Sequence, residues 1–176
     1  MTSEVKRSVR IHKGRVFDLF SEEVTLETGV TVDLDIIRHP GASAVVPLRK
    51  EGEVILINQY RHAVGGFIWE IPAGTFDGGE PPLECAQREL AEETGFSARS
   101  WQALGRLIPV PGYSDEEIHL FLASDLVPAT QRLDQDELLH VHHLKMEEAM
   151  DMIFRGEIRD SKTISALFLA RARLGA

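Results

Sequence analysis

The sequence predicts an α/β protein in which helices cover the faces of a mixed sheet, preceded by a small antiparallel β unit. Three observations predict it. Short runs of β-branched and aromatic residues recur along the chain, an amphipathic helix is framed by Pro81, Pro82 and Gly95, and two further helical segments close the sequence.

The elements follow in order. Residues 5–11, 15–26 and 30–38 read as strands, with Thr28 and Gly29 separating the second from the third, and together form the N-terminal antiparallel unit over 1–40. His39, Pro40 and Gly41 interrupt the chain, and the main domain is expected over 41–176. Two more strands are predicted at 44–48 and 53–60. The two prolines then sit in a first helical turn, where a missing N–H costs little, and Gly95 supplies the stop. Strands are expected at 102–108, 118–126 and 141–144, and helices at 146–155 and 161–174, with Ser161 as N-cap. No repeat, low-complexity tract or long linker breaks this order.

The central helix carries the chemistry. At about 100° per residue Glu89, Glu92 and Glu93 share one face, while Leu83, Ala86 and Leu90 share an apolar neighbour. Like charges four residues apart repel by a few tenths of a kcal/mol, so Glu89 facing Glu93 is a local penalty that a bound cation would relieve. Carboxylate oxygens suit Mg²⁺ or Mn²⁺, and Mg²⁺ keeps waters and substrate phosphates among its ligands. Three glutamates alone more often form an ordinary solvated helix face, and it is the full pattern around them that points to a metal site.

Composition limits the function. With 19 basic against 28 acidic residues, a net charge of −9, the chain has no cationic surplus for a nucleic-acid backbone. A phosphate substrate would need metal mediation. Cys85 is the only cysteine, so no intramolecular disulfide forms. The N-terminal residues are charged, no run of 18 apolar residues occurs, and a cytoplasmic protein without membrane partners is expected.

Residues 74–96 read G-x5-E-x7-R-E-U-x-E-E-x-G-U, where U is a bulky apolar residue, from Gly74 through Glu80, Arg88, Glu89, Leu90, Glu92, Glu93 and Gly95 to Phe96. This stretch resembles the Nudix box at every constrained position. The segments Asn58-Gln59-Tyr60-Arg61, Glu70-Ile71-Pro72-Ala73-Gly74 and Pro111-Gly112-Tyr113-Ser114-Asp115-Glu116 further resemble the ADP-ribose pyrophosphatase branch. The resemblance implies a Nudix-type α/β/α sandwich and metal-dependent hydrolysis of ADP-ribose, or a related nucleoside diphosphate sugar, to AMP and ribose 5-phosphate. GDP-mannose or a broad range of such sugars is the alternative substrate set. A nucleoside triphosphate sanitiser and a noncatalytic nucleotide sensor are the competing classes; Pro111 argues against the first and the complete box against the second.

Carried onto these residues, the resemblance implies a metal set of Ala73 (through its carbonyl), Glu89, Glu92, Glu93 and Glu137, holding two or three Mg²⁺ or Mn²⁺ ions. Glu137 is the favoured catalytic base, with Glu92 and Asp136 the other candidates. Gln135 stands where relatives often carry a further acid. Arg88 would orient the glutamates from behind. Arg61 is assigned to the diphosphate through its planar donor fork, Glu70 to the ribose or base, and Gly112 with Tyr113 to the substrate, with Tyr113 or Phe17 stacking on the base. The resemblance also implies a homodimer through the N-terminal unit.

Two features are set aside. His140 and His142 share a strand face and His143 follows, but no third zinc ligand stands at the right spacing. Trp69, beside Glu70, reads as a stacking platform or a buried anchor, and burial at a subunit or domain junction is the favoured expectation.

Overall fold

The structure, a computed structural model, describes residues 3–175. Its contacts divide it into two units: the N-terminal residues to Gly41 together with Ile108–Glu117, and Ala42–Leu107 together with the chain from Ile118 onward. The expectation placed a single boundary at 40, whereas the segment around Tyr113 clusters with the first unit. Backbone bonds explain this: Ile37 N–H donates to Tyr113 O at 2.7 Å and Asp115 N–H to Ile37 O at 3.2 Å.

The first unit is an antiparallel sheet of β1 (Glu4–Lys13), β2 (Asp18–Thr25) and β3 (Thr31–Arg38) in the order β1-β2-β3. Glu22, the one buried carboxylate among its described residues, accepts from Ser8 Oγ at 3.0 Å and Arg38 Nη2 at 2.8 Å. The Arg38 hydrogen bond is the main reason that the Glu22 pKa lies below its ordinary value. Every residue of β1 is exposed.

The second unit contains β4 (Ala42–Pro47), a 3-10 turn at Lys50–Gly52, β5 (Glu53–Arg61), β6 (Gly66–Glu70), β7 (Ala73–Thr75), α1 (Pro82–Thr94), β8 (Phe96–Leu107), β9 (Ile118–Pro128), β10 (Leu139–Lys145), α2 (Met146–Phe154) and α3 (Ser161–Leu174). One sheet runs β7-β4-β9-β8, and it is mixed: β4 pairs with β9 in parallel and with β7 antiparallel. The other sheet runs β10-β5-β6 and is antiparallel throughout.

β4 shows why helices lie on both sides. It is buried at every residue, as a central strand covered on two faces must be. Val45 joins Ala86 and Leu90 of α1, whereas Ala42, Ala44 and Val46 join Met146, Met150, Ala166 and Leu167 of α2 and α3. The pleat therefore feeds two cores from one strand and gives the expected α/β/α layering.

Several boundaries move. β6 and β7 were not anticipated, since Gly66 and the three-residue β7 give little periodicity. β8 begins at Phe96, directly after the helix stop, not at 102. The α3 N-cap is Asp160 and not Ser161: the Asp160 carboxylate accepts from Thr163 N–H at 2.9 Å, which makes Ser161 the first helical residue. Trp69 packs against the α2/α3 core and meets His142 edge-on at 4.6 Å, inside the second unit. No helix of the described residues is long and apolar enough to cross a membrane.

Candidate active site

The glutamate-bearing helix is fixed at both ends. Pro81 precedes it in extended conformation with Pro82 at its first position, and Gly95 closes it in the left-handed region at φ 73°. Its last carbonyls are met from one loop: Arg132 N–H donates to Glu92 O at 2.9 Å, Gln131 Nε2 to Glu93 O at 2.7 Å, and Ala129 N–H to Gly95 O at 2.8 Å. The same loop continues to Glu137, whose carboxylate accepts from Asp134 N–H at 2.9 Å. The helix stop thus places a distal acid beside the box.

Glu89 and Glu93 point inward, 8% and 1% exposed. Glu93 Oε2 accepts from Ala73 N–H at 2.9 Å. Burial raises its pKa well above the ordinary carboxylate value; the charges of Glu89 and Glu137 add to this, while the Ala73 N–H and Arg61 oppose it. Glu89 is raised by burial first, then by Glu92 and Glu137, against the pull of Arg88. Four carboxylates therefore share one electrostatic neighbourhood.

Arg88 binds this cluster from the other side. Its Nε and Nη2 grip Glu80 at 3.0 and 2.9 Å, and Nη1 reaches Glu89 Oε1 at 2.5 Å and Glu92 Oε2 at 3.1 Å. Nη2 also donates to Thr75 O at 3.2 Å. The buried Cys85 thiol donates to Gly74 O at 3.3 Å and is pushed up to about 12, chiefly by burial, so it is no nucleophile.

Arg61 and Glu70 form a bidentate pair across β5 and β6, with Nε to Oε1 at 2.7 Å and Nη2 to Oε2 at 2.9 Å. Lys162 of α3 closes on the same Glu70 carboxylate and on Asp160 at 3.1 Å. Burial alone would raise Glu70, but Arg61 and Lys162 outweigh it and hold its pKa below the ordinary value. Lys162 was missed because it lies 92 residues from Glu70, with nothing local to announce the pairing.

The structure thus brings Ala73, Glu89, Glu92, Glu93 and Glu137 into one acidic cluster, with Arg61 close enough to Glu93 for each to shift the other. Gly112 and Tyr113 fall in the first unit, where Tyr113 is 53% exposed, as is Phe17 at 42%. Glu70 faces protein cations on both of its oxygens. The three histidines are used by packing: His140 stacks on Phe67, His142 meets Trp69, and His143 meets Phe96.

Among the described residues no three His, Cys, Asp or Glu side chains are set to hold a metal ion as they stand. The donor set nevertheless fits a hard divalent cation. A buried carboxylate beside two others favours a positive partner, and Gly74 leaves the space that the Glu89 carboxylate occupies, a Cβ there falling 1.7 Å from Oε1.

Residues 37–167 match the NUDIX domain. The chain belongs to the Nudix family. Its match to the ADP-ribose pyrophosphatase of Bacillus subtilis (strain 168) is 38% identical over 160 residues, covering 90% of this chain and 86% of that one. Its match to the ADP-ribose pyrophosphatase of Mycobacterium tuberculosis is 35% identical over 172 residues, covering 96% and 83%. A crystal structure of an ADP compounds hydrolase superposes with a TM-score of 0.87 at 26% identity, covering 99% of this chain and 95% of that one. The Nudix match spans the acidic cluster, the loop that carries Glu137 and the Arg61–Glu70–Lys162 group. Nudix hydrolases generally depend on divalent metal, which agrees with the donor set found here.

Proposed function

We propose that this chain hydrolyses the diphosphate of ADP-ribose, or of a closely related nucleoside diphosphate sugar, releasing AMP and ribose 5-phosphate. The observation that carries the reading is Glu93: a carboxylate 1% exposed, set against Ala73 N–H and facing Glu89 and Glu137, with ADP-ribose pyrophosphatases among its similar proteins. Ala73, Glu89, Glu92, Glu93 and Glu137 would hold two or three divalent ions, Mg²⁺ or Mn²⁺. When bound, these supply Lewis acidity that neutralises charge on the phosphoryl oxygens.

The chain's own groups do the rest. Glu137 takes a proton from the attacking water as its oxygen bonds to phosphorus and the bridging P–O bond breaks. Glu92, held by Arg88, is the second candidate for that proton. Glu70 fixes Nε and Nη2 of Arg61 so that the guanidinium meets the diphosphate in one orientation. The exposed ring of Tyr113, beside Gly112, is assigned to the base on its chemistry.

A homodimer formed through residues 1–40 belongs to the proposal. Its support is β1, an edge strand of the described sheet that exposes Val5, Val9 and Ile11. A sedimentation mass of one subunit at micromolar concentration would remove it. A cytoplasmic setting suits the lone buried thiol.

The test is product identification by ³¹P NMR after incubation with Mg²⁺ or Mn²⁺ and, separately, ADP-ribose, GDP-mannose, UDP-glucose and dGTP. AMP with ribose 5-phosphate from the first, and little from dGTP, supports the reading. Turnover of dGTP alone, or of none with either metal, overturns it.

A further inference from the structure

Glu70 has two cations where one would pair it. Arg61 already meets both of its oxygens, yet the Lys162 ammonium also donates to Oε2, the oxygen that accepts from Arg61 Nη2 at 2.9 Å. Enclosing a further charge is costly, and a buried ion pair is weak grounds for stability, so the second cation calls for a reason. The two differ in access: the Arg61 side chain is 41% exposed and that of Lys162 13%. Arg61 is the one that an arriving ligand can meet.

Lys162 is held by the start of α3 and needs no ligand to keep its place. The Asp160 carboxylate accepts from Thr163 N–H at 2.9 Å and from Thr163 Oγ1 at 2.6 Å, and it lies 3.1 Å from Lys162 Nζ. Thr163 Oγ1 in turn accepts from Ile71 N–H at 2.8 Å, in the backbone directly after Glu70. The lysine and its target are therefore fixed to one another. Asp160 spends its charge on the first turn of the helix as well as on Lys162, so it offsets the ammonium only in part.

Arg61 gives Glu70 the edge of its fork formed by Nε and Nη2, which leaves the end formed by Nη1 and Nη2 for a diphosphate. A diphosphate bound there shares one guanidinium with a carboxylate 1% exposed, and two anions on one cation repel where water does not screen them. A cation on the far side of Glu70 offsets that repulsion. We propose that Lys162 is a positioning residue for the diphosphate: it compensates Glu70 from behind, so that Glu70 keeps Arg61 in orientation without opposing the anionic substrate. The inference rests on the proposed hydrolysis and on the contact assigned there to Arg61.

Lys162→Met removes the charge at similar length, Lys162→Gln repeats the test should methionine disturb folding, and Lys162→Arg restores the charge. KM and kcat for ADP-ribose are measured at saturating Mg²⁺, below the melting transition of every variant, in the wild type and in Glu70→Gln. In Lys162→Met, KM should rise about tenfold while kcat stays within about twofold, the loss of one compensating charge felt in binding. Lys162→Arg should recover most of it. In the Glu70→Gln background the same Lys162→Met change should leave KM where it was, because no carboxylate remains to be offset. A structural role alone would not make the loss depend on the charge of Glu70. An unchanged KM in a folded Lys162→Met, a fall in kcat alone, or an equal loss in both backgrounds overturns the inference while ADP-ribose turnover still stands. A wild-type protein inert towards ADP-ribose would instead remove the functional reading, and the inference with it.

Discussion

The carboxylate of Glu89 occupies the place where a side chain at residue 74 would begin. A Cβ built on Gly74 would stand 1.7 Å from Glu89 Oε1 and 2.0 Å from its carboxyl carbon. The glycine that opens the box is thus needed for space. Gly74→Ala meets only the far end of a flexible side chain, so the fold should survive while the carboxylate moves. Turnover should fall roughly 100-fold, the scale of an ångström-sized misplacement, with an unchanged circular dichroism spectrum. Wild-type kinetics in Gly74→Ala would show that Glu89 has no fixed position to keep.

Glu93 should stabilise function at the expense of the metal-free fold. Its folded pKa is raised, first by burial and then by Glu89 and Glu137, so the stability linked to its proton is full below the ordinary glutamate value and lost as pH rises through the folded one. At pH 8 without metal, Glu93→Gln should melt above the wild type, by about 2–4 °C for each kcal/mol relieved. Added Mg²⁺ should raise the wild-type melting temperature and leave the variant nearly unmoved. Thermal scans with EDTA and with Mg²⁺ check both arms.

Glu70 has the opposite sign. Arg61 and Lys162 overcome the effect of burial and lower its pKa, so its contribution is present above the ordinary carboxylate value and lost as pH falls through the depressed one. Glu70→Gln should cost about 3 kcal/mol at pH 7, because Arg61 and Lys162 lose their shared partner, and should flatten the acid limb of the stability profile. Chemical denaturation between pH 3 and 7 measures this. A variant as stable as the wild type at pH 7 would contradict the pairing.

For the base, Glu137→Gln should lower kcat by about 10²–10⁴ with KM little changed, since a proton acceptor acts only as the reaction proceeds. Glu92→Gln should lose less. Near wild-type turnover of Glu137→Gln at saturating Mg²⁺ would pass the role to Glu92.

Much of this architecture could be read before folding because its determinants are local. Pro82 at the first helical position and Gly95 at φ 73° fix α1 from within the sequence, and 3.6-residue periodicity puts Glu89 and Glu93 on one row. What escaped is set by tertiary contact. β6 and β7 are held by pairing with β5 and β4 more than by any pattern of their own. Asp160 outcompetes Ser161 as cap because its carboxylate reaches both the backbone N–H and the hydroxyl of Thr163. The partners of Glu70 come from both ends of the unit, Arg61 nearby and Lys162 on the last helix, and only the assembled sheet and helix layers bring them to one carboxylate.

The claim beneath all of these is that the Glu89–Glu93 cluster binds divalent metal. Mn²⁺ titration followed by electron paramagnetic resonance, on wild type and on Glu89→Gln/Glu93→Gln, tests it most directly. Loss of the free Mn²⁺ signal on adding wild-type protein, and its persistence with the double variant, is the expected result. Equal uptake by both proteins would place the metal elsewhere and contradict the account.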